Sequence, residues 1–363
     1  MTASSHLFLA DIREQPAAFL RLLHSDQAAA AAEIFVTSRP PLVRLAAHGS
    51  SLNAAVYASY LISTQLGLRS APTDLSAVLA DRSREPFDGD IVLAFSQSGE
   101  TADVVSYVEL ARRRGARAIA VTNEGDSALA QAADVPVTLL AGRERAIPAT
   151  KTYTTQLLAA AMIVQNVSRS REIAGGMARL PELADSIVDT AGDAARGAAE
   201  AMSTVRRIVV VGDGFEHATA REIALKLTEA AGIPATHLRS LEALHGHFAT
   251  LRHDVTVVLV ASPGPLLGDL QIACDAARRY GSQILAIGSA CEEVDADLRL
   301  AVPIVHETLS PLLTVIAGQL LTCQLARLRD SDAARPPGLQ KLVTARPSYL
   351  EPELAPIAPR HVA

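Results

Sequence analysis

An internal repeat is the feature of this 363-residue chain that most constrains its fold. Gly49 is followed 165 residues later by Gly214, and AFSQSG at 94–99 is followed at the same interval by LVASPG. AIAVTN at 118–123 is followed by ILAIGS at an interval of 166 residues. So constant an interval predicts two copies of one structural unit.

Short apolar runs that alternate with helical patterns predict what each copy contains. The first copy has candidate strands at 42–48, 90–95, 116–123 and 135–141. The second copy has them at 206–212, 254–261, 282–288 and 299–305. This alternation is typical of a parallel sheet covered by helices. We therefore expect an α/β fold class, with two doubly wound parallel sheets flanked by helices.

Composition restricts the class of protein. Apolar residues make up 49% and charged residues 20% of the chain, which predicts a soluble globule of two domains, each with its own core. Aromatic residues make up 4%, Trp is absent and the net charge is −6, so no nucleic-acid partner is expected. The apolar stretch 311–326 is interrupted by Thr and Gln and is interpreted as a buried helix, with no membrane partner.

The termini and cysteines bear on localisation. The N-terminus MTASSHLFLADIREQ lacks a basic region and a long apolar run, so it is not interpreted as a signal peptide. Cys274, Cys291 and Cys323 lie far apart and form no CxxC pair. This spacing suits a reducing compartment, and a cytoplasmic protein is expected.

The turn FSQSGET at 95–101 lies where a candidate strand leads into a helical pattern. Ligands of open α/β sheets bind beyond the carboxyl ends of strands, where the next helix presents free N–H groups and the positive end of its dipole. The hydroxyls of Ser96, Ser98 and Thr101, with close backbone approach at Gly99, favour a phosphate group there. No lysine follows as in GxxxxGK[ST], so a nucleotide P-loop is not expected.

A helix cap is the alternative explanation of this turn. Thr101 could act only as an N-cap, with Asp103 favourably placed in the first turn. Capping requires one such residue, whereas this turn has several. The turn HGSSLNAA at 48–55 also places Ser50 and Ser51 ahead of a helix, and two such turns in one copy favour a shared anion site.

The second copy has diverged where the first copy has the turn at 95–101. It carries SPGP at 262–265 where the first copy has its hydroxyl cluster, so only one copy is predicted to hold a polar ligand. Gly212 and Gly214 are spaced as in a dinucleotide fingerprint, but position 217 is His where a third glycine is expected. The repeat pairs Gly214 with Gly49, which favours a tight turn over a dinucleotide site.

Glu222, Lys226 and Glu229 share one face of a predicted helix. An exposed Glu–Lys ladder would stabilise that helix by a few tenths of a kcal/mol. The neighbouring residues are apolar, however, and burial would raise the pKa of a carboxyl group toward the range useful for proton abstraction. Both interpretations remain open at this point.

Two further candidates are less specific. His245, His247 and His253 form a poor zinc site, because no third ligand has workable spacing and no Cys is near. No metal is expected, and His245 suits acid–base chemistry as well as a structural role. Lys341 follows RPPG at 335–338, a rigid turn that could place an amine over a site, although a surface lysine has the same pattern.

The chain resembles the sugar isomerase (SIS) domain family, which includes the isomerase half of glutamine–fructose-6-phosphate aminotransferase. SQSGETADVV at 96–105 is similar to the phosphosugar-binding signature of that family, and 48–55 occupies the place of its Gly-Thr-Ser turn. IPATKTYTTQLLA at 147–159 is similar to VASTKAFTTQ. Residues 221–251 are similar to the block LEGALKLKE…KHGP, and PPGLQKLVT at 336–344 to PRNLAKSVT.

The resemblance implies roles for individual residues. It makes Glu229 the base that moves a proton between C1 and C2, and Lys341 the amine that forms an imine with the open-chain ketose. It gives His245 a part in ring opening from a neighbouring subunit, with Lys226 beside the base. The implied phosphate ligands are Ser51, Ser96, Gln97, Ser98 and Thr101. The other implied substrate contacts are Gly49, Ser50, Ile147, Thr150 and Glu222.

The resemblance also implies a domain organisation. Residues 1–30 are expected to form a helical lead-in, 31–170 a phosphate-binding SIS domain and 171–202 a helical linker. Residues 203–330 form a second SIS domain, and 331–363 form a loop and tail that complete the active site. A homodimer with its active site at the subunit interface is expected, and no cofactor.

Some positions depart from the family pattern. His48 replaces a small residue or Cys, Pro148 and Ala149 replace Ala-Ser, and His247 replaces Pro. The glutaminase half of the aminotransferase is not expected here, because the chain lacks its catalytic Cys at position 2.

Three functions are compatible with the resemblance. The first is a phosphosugar deaminase and isomerase that interconverts glucosamine 6-phosphate with fructose 6-phosphate and ammonia. The second is an isomerase or ammonia-dependent aminating enzyme that acts on another phosphosugar. The third is a non-catalytic sensor of a sugar phosphate. Glu229, His245 and Lys341 together favour an enzyme, since a sensor needs only a phosphate site.

Overall fold

The computed structural model describes residues 5–80 and 86–341. Three helices come first, namely α1 (Ser5–Arg13), α2 (Gln15–Leu23) and α3 (Ala29–Ser38). A helical lead-in was expected over residues 1–30, and α1, α2 and the beginning of α3 lie in the described part of that range. Buried residues of α1 and α2, among them Phe8 and Phe19, anchor the segment to the rest of the chain.

The first unit alternates strands and helices. Its elements are β1 (Val43–Ala46), α4 (Gly49–Leu66), β2 (Ser70–Pro72), α5 (Leu75–Leu79), β3 (Ile91–Phe95), α6 (Ala102–Arg113), β4 (Arg117–Thr122), α7 (Ala128–Ala132), β5 (Val135–Thr138) and α8 (Lys151–Ser168). The strands form a parallel sheet in the order β2-β1-β3-β4-β5. The order reverses direction at β1, so the carboxyl ends of β1 and β3 lie at a switch point where ligands commonly bind.

The long helix α9 (Arg171–Ala201) leads to the second unit. That unit contains β6 (Arg207–Val211), α10 (Glu216–Ala231), β7 (Ala235–Leu238), α11 (Ser240–Leu244), β8 (Val255–Val260), α12 (Leu267–Arg279), β9 (Gln283–Gly288), β10 (Leu298–Ala301) and α13 (Ser310–Leu328). Short 3-10 turns lie at 247–250, 291–293 and 307–309. The parallel sheet has the order β7-β6-β8-β9-β10, which is the order of the first sheet. The repeat and the α/β fold class are therefore confirmed.

Glycines mark the shared turns of the two units. Gly49 and Gly214 have φ angles of +55° and +57°, and Gly99 and Gly264 have φ angles of +68° and +146°. These are backbone conformations that residues with a Cβ atom rarely adopt. The turns that follow the first and third strands therefore belong to the fold itself.

The two sheets share one hydrophobic core. The largest buried cluster runs from Phe8 through Leu93 and Ile208 to Ala334, and smaller clusters cover the outer face of each sheet. The expectation that each domain has its own core was wrong in this respect. Helices α4, α8, α9, α10 and α13 pack between the sheets, so their apolar side chains contact both units.

Helix α13 confirms the interpretation of 311–326 as a buried helix. The span Glu307–Leu328 is apolar and long enough to cross a membrane, but 94% of its most apolar window is buried inside the protein. It is therefore a core helix. The cysteines Cys274, Cys291 and Cys323 are free and buried.

Two strands escaped the sequence analysis. β2 has three residues and β7 has four, and most of these residues are partly or fully exposed. Each lies at the edge of its sheet, where one side of the strand has no neighbour. Short edge strands lack the continuous apolar run by which the buried strands were recognised.

Candidate active site

A cavity of about 550 Å³ opens at the carboxyl ends of β1 and β3. The two turns of the first unit, α10 of the second unit and segment 339–341 all contribute to its wall. Its volume is within the range of small-ligand sites, about 300–1,000 Å³. The predicted site residues that line it are Gly49, Ser50, Ser51, Ser96, Gln97, Ser98, Thr101, Ile147, Lys226, Glu229 and Lys341.

Helices α4 and α6 both begin at this cavity, and neither is capped by the side chain of its N-cap residue. His48 and Thr101 occupy the two N-cap positions, and neither side chain accepts a hydrogen bond from its own helix. The hydroxyl of Thr101 instead lies 3.0 Å from Oγ of Ser96. The cap explanation of Thr101 therefore fails, and the first-turn N–H groups of both helices suit an anion.

The hydroxyls of the two turns are already ordered. Ser96 Oγ accepts a hydrogen bond from the Gly99 amide at 3.1 Å, and Ser98 Oγ accepts one from the Glu100 amide at 3.2 Å. Ser51 is buried and accepts a hydrogen bond from Nε2 of Gln156 at 2.9 Å. These bonds place several hydroxyls at one end of the cavity, as a phosphate site requires.

The second unit has a smaller cavity, of about 230 Å³, at its matching position. At the 165-residue interval of the repeat, Glu216 is the equivalent of Ser51 and Asp213 is the equivalent of His48. Pro263 and Leu266 likewise replace Ser98 and Thr101. Carboxylates and apolar side chains do not suit a phosphate, so this cavity differs in chemistry from the one in the first unit.

The carboxylate of Glu216 explains this divergence further. It is buried in the first turn of α10 and accepts hydrogen bonds from Ser262, Ser310 and Thr314. The negative charge of a side chain thus lies at the positive end of the helix dipole, where a bound phosphate would lie. A dinucleotide at Gly212 and Gly214 would meet this charge, and the tight-turn explanation is the better one.

Glu222, Lys226 and Glu229 lie on one buried face of α10. Nζ of Lys226 is 2.5 Å from Oε2 of Glu229 and 3.5 Å from Oε1 of Glu222. Side-chain exposure is 0% for Glu222, 1% for Lys226 and 25% for Glu229, which excludes an exposed ladder. Only Lys226 and Glu229 reach the cavity wall.

Burial and charge act in opposite directions on these groups. Burial raises the pKa of Glu222, and the charge of Lys226 opposes that shift only in part. Burial alone would lower the pKa of Lys226, but the charges of Glu222 and Glu229 outweigh it and the pKa is raised. Lys226 therefore carries a proton at neutral pH.

Asn53 connects this face to the first unit. Its amide nitrogen donates to Oε2 of Glu222 at 2.8 Å, and its amide oxygen accepts from Nε of Arg221 at 2.9 Å. Helix α4, which carries Asn53, begins at the hydroxyl-rich end of the cavity. These bonds fix the distance between the two ends of the site.

The C-terminal segment brings Lys341 to the cavity. The Leu339 amide donates to the carbonyl of Pro336, and Gly338 has a φ of +80°, so the expected turn is present. Nζ of Lys341 donates to the carbonyl of Ala146 at 2.5 Å. Burial lowers the pKa of Lys341, although the charge of Glu144, whose Oε2 lies 3.7 Å from Nζ, opposes this shift. A larger share of this amine is therefore uncharged than in a solvent-exposed lysine.

Besides Glu222, two other predicted site residues lie away from the cavity wall. Thr150 is buried at the start of α8, where its amide and hydroxyl both donate to Oε1 of Glu144. His245 is exposed at the end of α11 and does not line the cavity of its own chain. Its role in ring opening therefore remains a prediction that depends on a second subunit.

Comparisons with known proteins agree with this geometry. A family model described as SIS domain matches residues 43–165, which contain both hydroxyl-rich turns. The chain is 30% identical over 359 residues to a glutamine–fructose-6-phosphate aminotransferase [isomerizing] from Gloeobacter violaceus. Residues 43–165 thus match the SIS-domain family.

The extent of each match limits what it shows. The Gloeobacter alignment covers 93% of this chain but 58% of that relative, so the chain spans less than two thirds of its length. The C-terminal domain of glucosamine-fructose-6-phosphate aminotransferase from Francisella tularensis has a TM-score of 0.80 and 24% identity, over 91% of this chain and 98% of that one. Glucosamine-6-phosphate deaminase from Thermotoga maritima has a TM-score of 0.70 and 22% identity, over 89% and 98%.

The sequence analysis assigned no role to several residues in or beside this cavity. His48 and Asp103 line the cavity and lie 2.7 Å apart, although they are 55 positions apart in the sequence. His48 was noted only as a departure from the family, and Asp103 only as a first-turn acid. Glu144, next to Lys341, was not noted at all. The contact between His48 and Asp103 had one signal in the sequence, namely a basic residue at one of two neighbouring turns and an acidic residue at the other.

Proposed function

We propose that the protein interconverts glucosamine 6-phosphate with fructose 6-phosphate and ammonia. One observation supports this most strongly. A single cavity contains an uncapped, hydroxyl-rich anion site, the carboxylate of Glu229 and the amine of Lys341. The wall of the cavity comes from three separate parts of the chain, and each part supplies one element of aldose–ketose chemistry.

The phosphate group would bind at the N-termini of α4 and α6. Ser51, Ser96, Ser98 and Thr101 would contribute hydroxyl contacts there, and the amides of the first turns would contribute the rest. Binding at this end directs the sugar carbons toward α10 and Lys341.

Proton transfer would be the task of Glu229. After ring opening, its carboxylate takes the proton from C2 of the open-chain amino sugar and returns it to C1. One proton of the amino group passes to the C1 oxygen, so that the aldehyde at C1 becomes an alcohol and C2 becomes an imine. Lys226 holds this carboxylate through a hydrogen bond of 2.5 Å. A positioned base typically contributes about 10²–10⁴ to the rate of such a step.

Release of ammonia would involve Lys341. Its uncharged amine adds to the C2 imine and expels ammonia, which leaves the sugar bonded to Nζ as a new imine. Water then hydrolyses that imine to fructose 6-phosphate and restores the amine. One water is consumed and one ammonia is released. The lowered pKa of Lys341 favours this step, because only the uncharged amine is a nucleophile.

Ring opening would require a second copy of the chain. His245 is exposed and outside the cavity of its own chain, so it can assist only from a neighbouring subunit. We therefore propose a homodimer that places His245 of each chain at the cavity of the other.

The same residues could run the reaction in reverse as an ammonia-dependent amination. The name of the Gloeobacter relative includes aminotransferase, whereas that of the Thermotoga neighbour is deaminase. Release of ammonia at low ammonia concentration favours deamination by mass action. The reverse reaction is therefore the second candidate.

The decisive experiment incubates the protein with glucosamine 6-phosphate and measures ammonia and fructose 6-phosphate together. Equal amounts of both products are expected. Product only from fructose 6-phosphate and added ammonium would favour amination. Turnover of a different phosphosugar alone would identify another substrate. Tight phosphosugar binding without turnover of any of these would contradict an enzyme and favour a sensor.

A further inference from the structure

His48 and Asp103 connect the two helices that begin at the cavity. His48 directly precedes α4, and Asp103 is the second residue of α6. Nε2 of His48 lies 2.7 Å from Oδ2 of Asp103, and Oδ1 of Asp103 accepts a hydrogen bond from the Val104 amide at 2.9 Å. The pair thus joins the first turns of α4 and α6.

Both members of the pair line the cavity, at different depths. The side chain of His48 is 55% exposed, and that of Asp103 is 9% exposed. The hydrogen bond to Asp103 raises the pKa of His48, although partial burial opposes this. Burial would raise the pKa of Asp103, but His48 and the Val104 amide outweigh it and the pKa is lowered. The Asp103 carboxylate therefore stabilises the imidazolium form of His48.

The other charged groups around the cavity have different partners or positions. Glu100 lies in the turn before α6, and Lys226 and Glu229 lie together on α10. Lys341 contacts the carbonyl of Ala146 and lies near Glu144. Among the cavity-lining residues that the structure describes, His48 is the one cationic side chain attached directly to a helix N-terminus.

The second unit supports a link between this position and ligand charge. Asp213 occupies the place of His48 there, and Gly268 occupies the place of Asp103. The unit that has lost the phosphate-binding hydroxyls has thus also lost the histidine–aspartate pair and has a carboxylate at its cavity instead.

We propose that His48, held by Asp103, determines the affinity of this site for the phosphate group. The pair fixes the separation of the two helix N-termini, and the imidazolium adds a positive charge at the rim of the anion site. The inference depends on the proposed phosphosugar function only in that the anion is a phosphate.

The test measures dissociation constants of inorganic phosphate and of glucosamine 6-phosphate by titration calorimetry between pH 6 and pH 9. The variants are His48→Gln, Asp103→Asn and the exposed control His253→Gln. His48→Gln should weaken binding about fivefold at pH 6.5, since a partly solvated charge acts through a high effective dielectric. Its effect should shrink as the pH rises, because the imidazolium of wild-type His48 progressively loses its proton.

Two features make the comparison specific. A phosphate ester has a second pKa of about 6, but the ionisation of each free ligand is the same for both proteins and cancels in the ratio of their dissociation constants. Asp103→Asn keeps an acceptor for the His48 ring but removes the charge that raises its pKa. Wild type loses its higher affinity over His48→Gln above a certain pH. For Asp103→Asn, the corresponding pH should therefore be lower.

If the ratio of the dissociation constants of His48→Gln and wild type is constant from pH 6 to pH 9, the charge of His48 does not contribute to affinity. Equal affinities of wild type and His48→Gln would overturn the inference altogether. Phosphate binding does not require turnover. A wild-type protein that binds phosphate through His48 but does not convert glucosamine 6-phosphate would therefore support this inference and contradict the proposed reaction. If His48→Gln does not fold, the shift in Asp103→Asn decides the question.

Discussion

Nζ of Lys226 lies 2.5 Å from Oε2 of Glu229, one helical turn away on a face of α10 that is largely closed to solvent. The lysine is buried and the carboxylate retains 25% exposure, so the pair points from the core toward the cavity. A buried ammonium holds the carboxylate in place for proton transfer.

The first prediction concerns that carboxylate. Glu229→Gln should lower kcat for glucosamine 6-phosphate by a factor of about 10²–10⁴, because the amide has nearly the same shape but cannot accept a proton. KM should change by less than about threefold, since the phosphate site is unaffected. Steady-state release of fructose 6-phosphate measures both values.

The exposed Glu182 on α9 provides the control for this charge change. Glu182→Gln should retain wild-type kinetics. Full activity of Glu229→Gln would remove Glu229 from the proton-transfer role.

The second prediction concerns the hydroxyls. The double variant Ser98→Ala, Thr101→Ala should raise KM by a factor of about 10–100 and leave kcat within a few-fold, because each lost contact to a charged group costs about 1.5–3 kcal/mol and losses at neighbouring sites are not additive. The exposed hydroxyl variant Thr190→Ala on α9 is the matched control. A fall in kcat with KM unchanged would place these hydroxyls at the reacting carbons instead.

The third prediction concerns the backbone of the turn. A Cβ atom on Gly99 would lie 2.0 Å from Oγ and 2.4 Å from Cβ of Ser127, at a φ of +68°. Gly99→Ala should therefore lower the free energy of unfolding by about 2–4 kcal/mol. Urea denaturation measures this change.

Gly67 separates the two causes of that loss. Its φ is +65°, but a Cβ atom there would meet nothing within 4 Å. Gly67→Ala should lower the free energy of unfolding by only about 1 kcal/mol, which is the cost of the left-handed conformation alone. Equal losses in the two variants would show that contact with Ser127 is unimportant.

The fourth prediction concerns covalent trapping. Lys151, Lys226 and Lys341 are the three lysines of the sequence, so borohydride reduction in the presence of fructose 6-phosphate has few lysine targets. Lys151 is fully buried and lies 3.1 Å from Asp11, and Lys226 is paired with Glu229. Lys341 should therefore carry the label, and Lys341→Ala should abolish it. Peptide mapping by mass spectrometry identifies the site.

The pH dependence of trapping follows from the lowered pKa of Lys341. The uncharged amine is the reactive form, so the labelling rate should rise with pH and level off below the usual pKa of lysine, about 10.4. A midpoint at or above that value would contradict the effect of burial. Label that persists in Lys341→Ala would remove Lys341 from the imine role.

The fifth prediction concerns the proposed dimer. His245→Ala and Glu229→Gln should each be inactive alone. Unfolding and refolding the two together should restore about a quarter of wild-type activity, because half of the dimers are mixed and each has one intact site. Activity assays before and after mixing measure this recovery. No recovery, with mixed dimers shown by mass spectrometry, would place His245 in the site of its own chain.

The sequence by itself determined the strand pattern, the repeat and the turn residues. Eight apolar runs were recognised because buried parallel strands are apolar along their whole length. Ser96, Ser98 and Thr101 were recognised because a strand followed by a helix places its turn at the carboxyl edge of the sheet. The family resemblance, rather than periodicity, assigned roles to Glu229 and Lys341.

Only the tertiary structure decided which of these residues meet. Lys226 lies in the second unit and Lys341 in the C-terminal segment, and they line one cavity with the turns of the first unit because α10 packs against α4 and the C-terminal segment contacts Ala146. The burial of Glu222 and the contact between His48 and Asp103 depend on the same packing. Long-range contacts of this kind leave no period in the sequence, because they are set by how two units share one core.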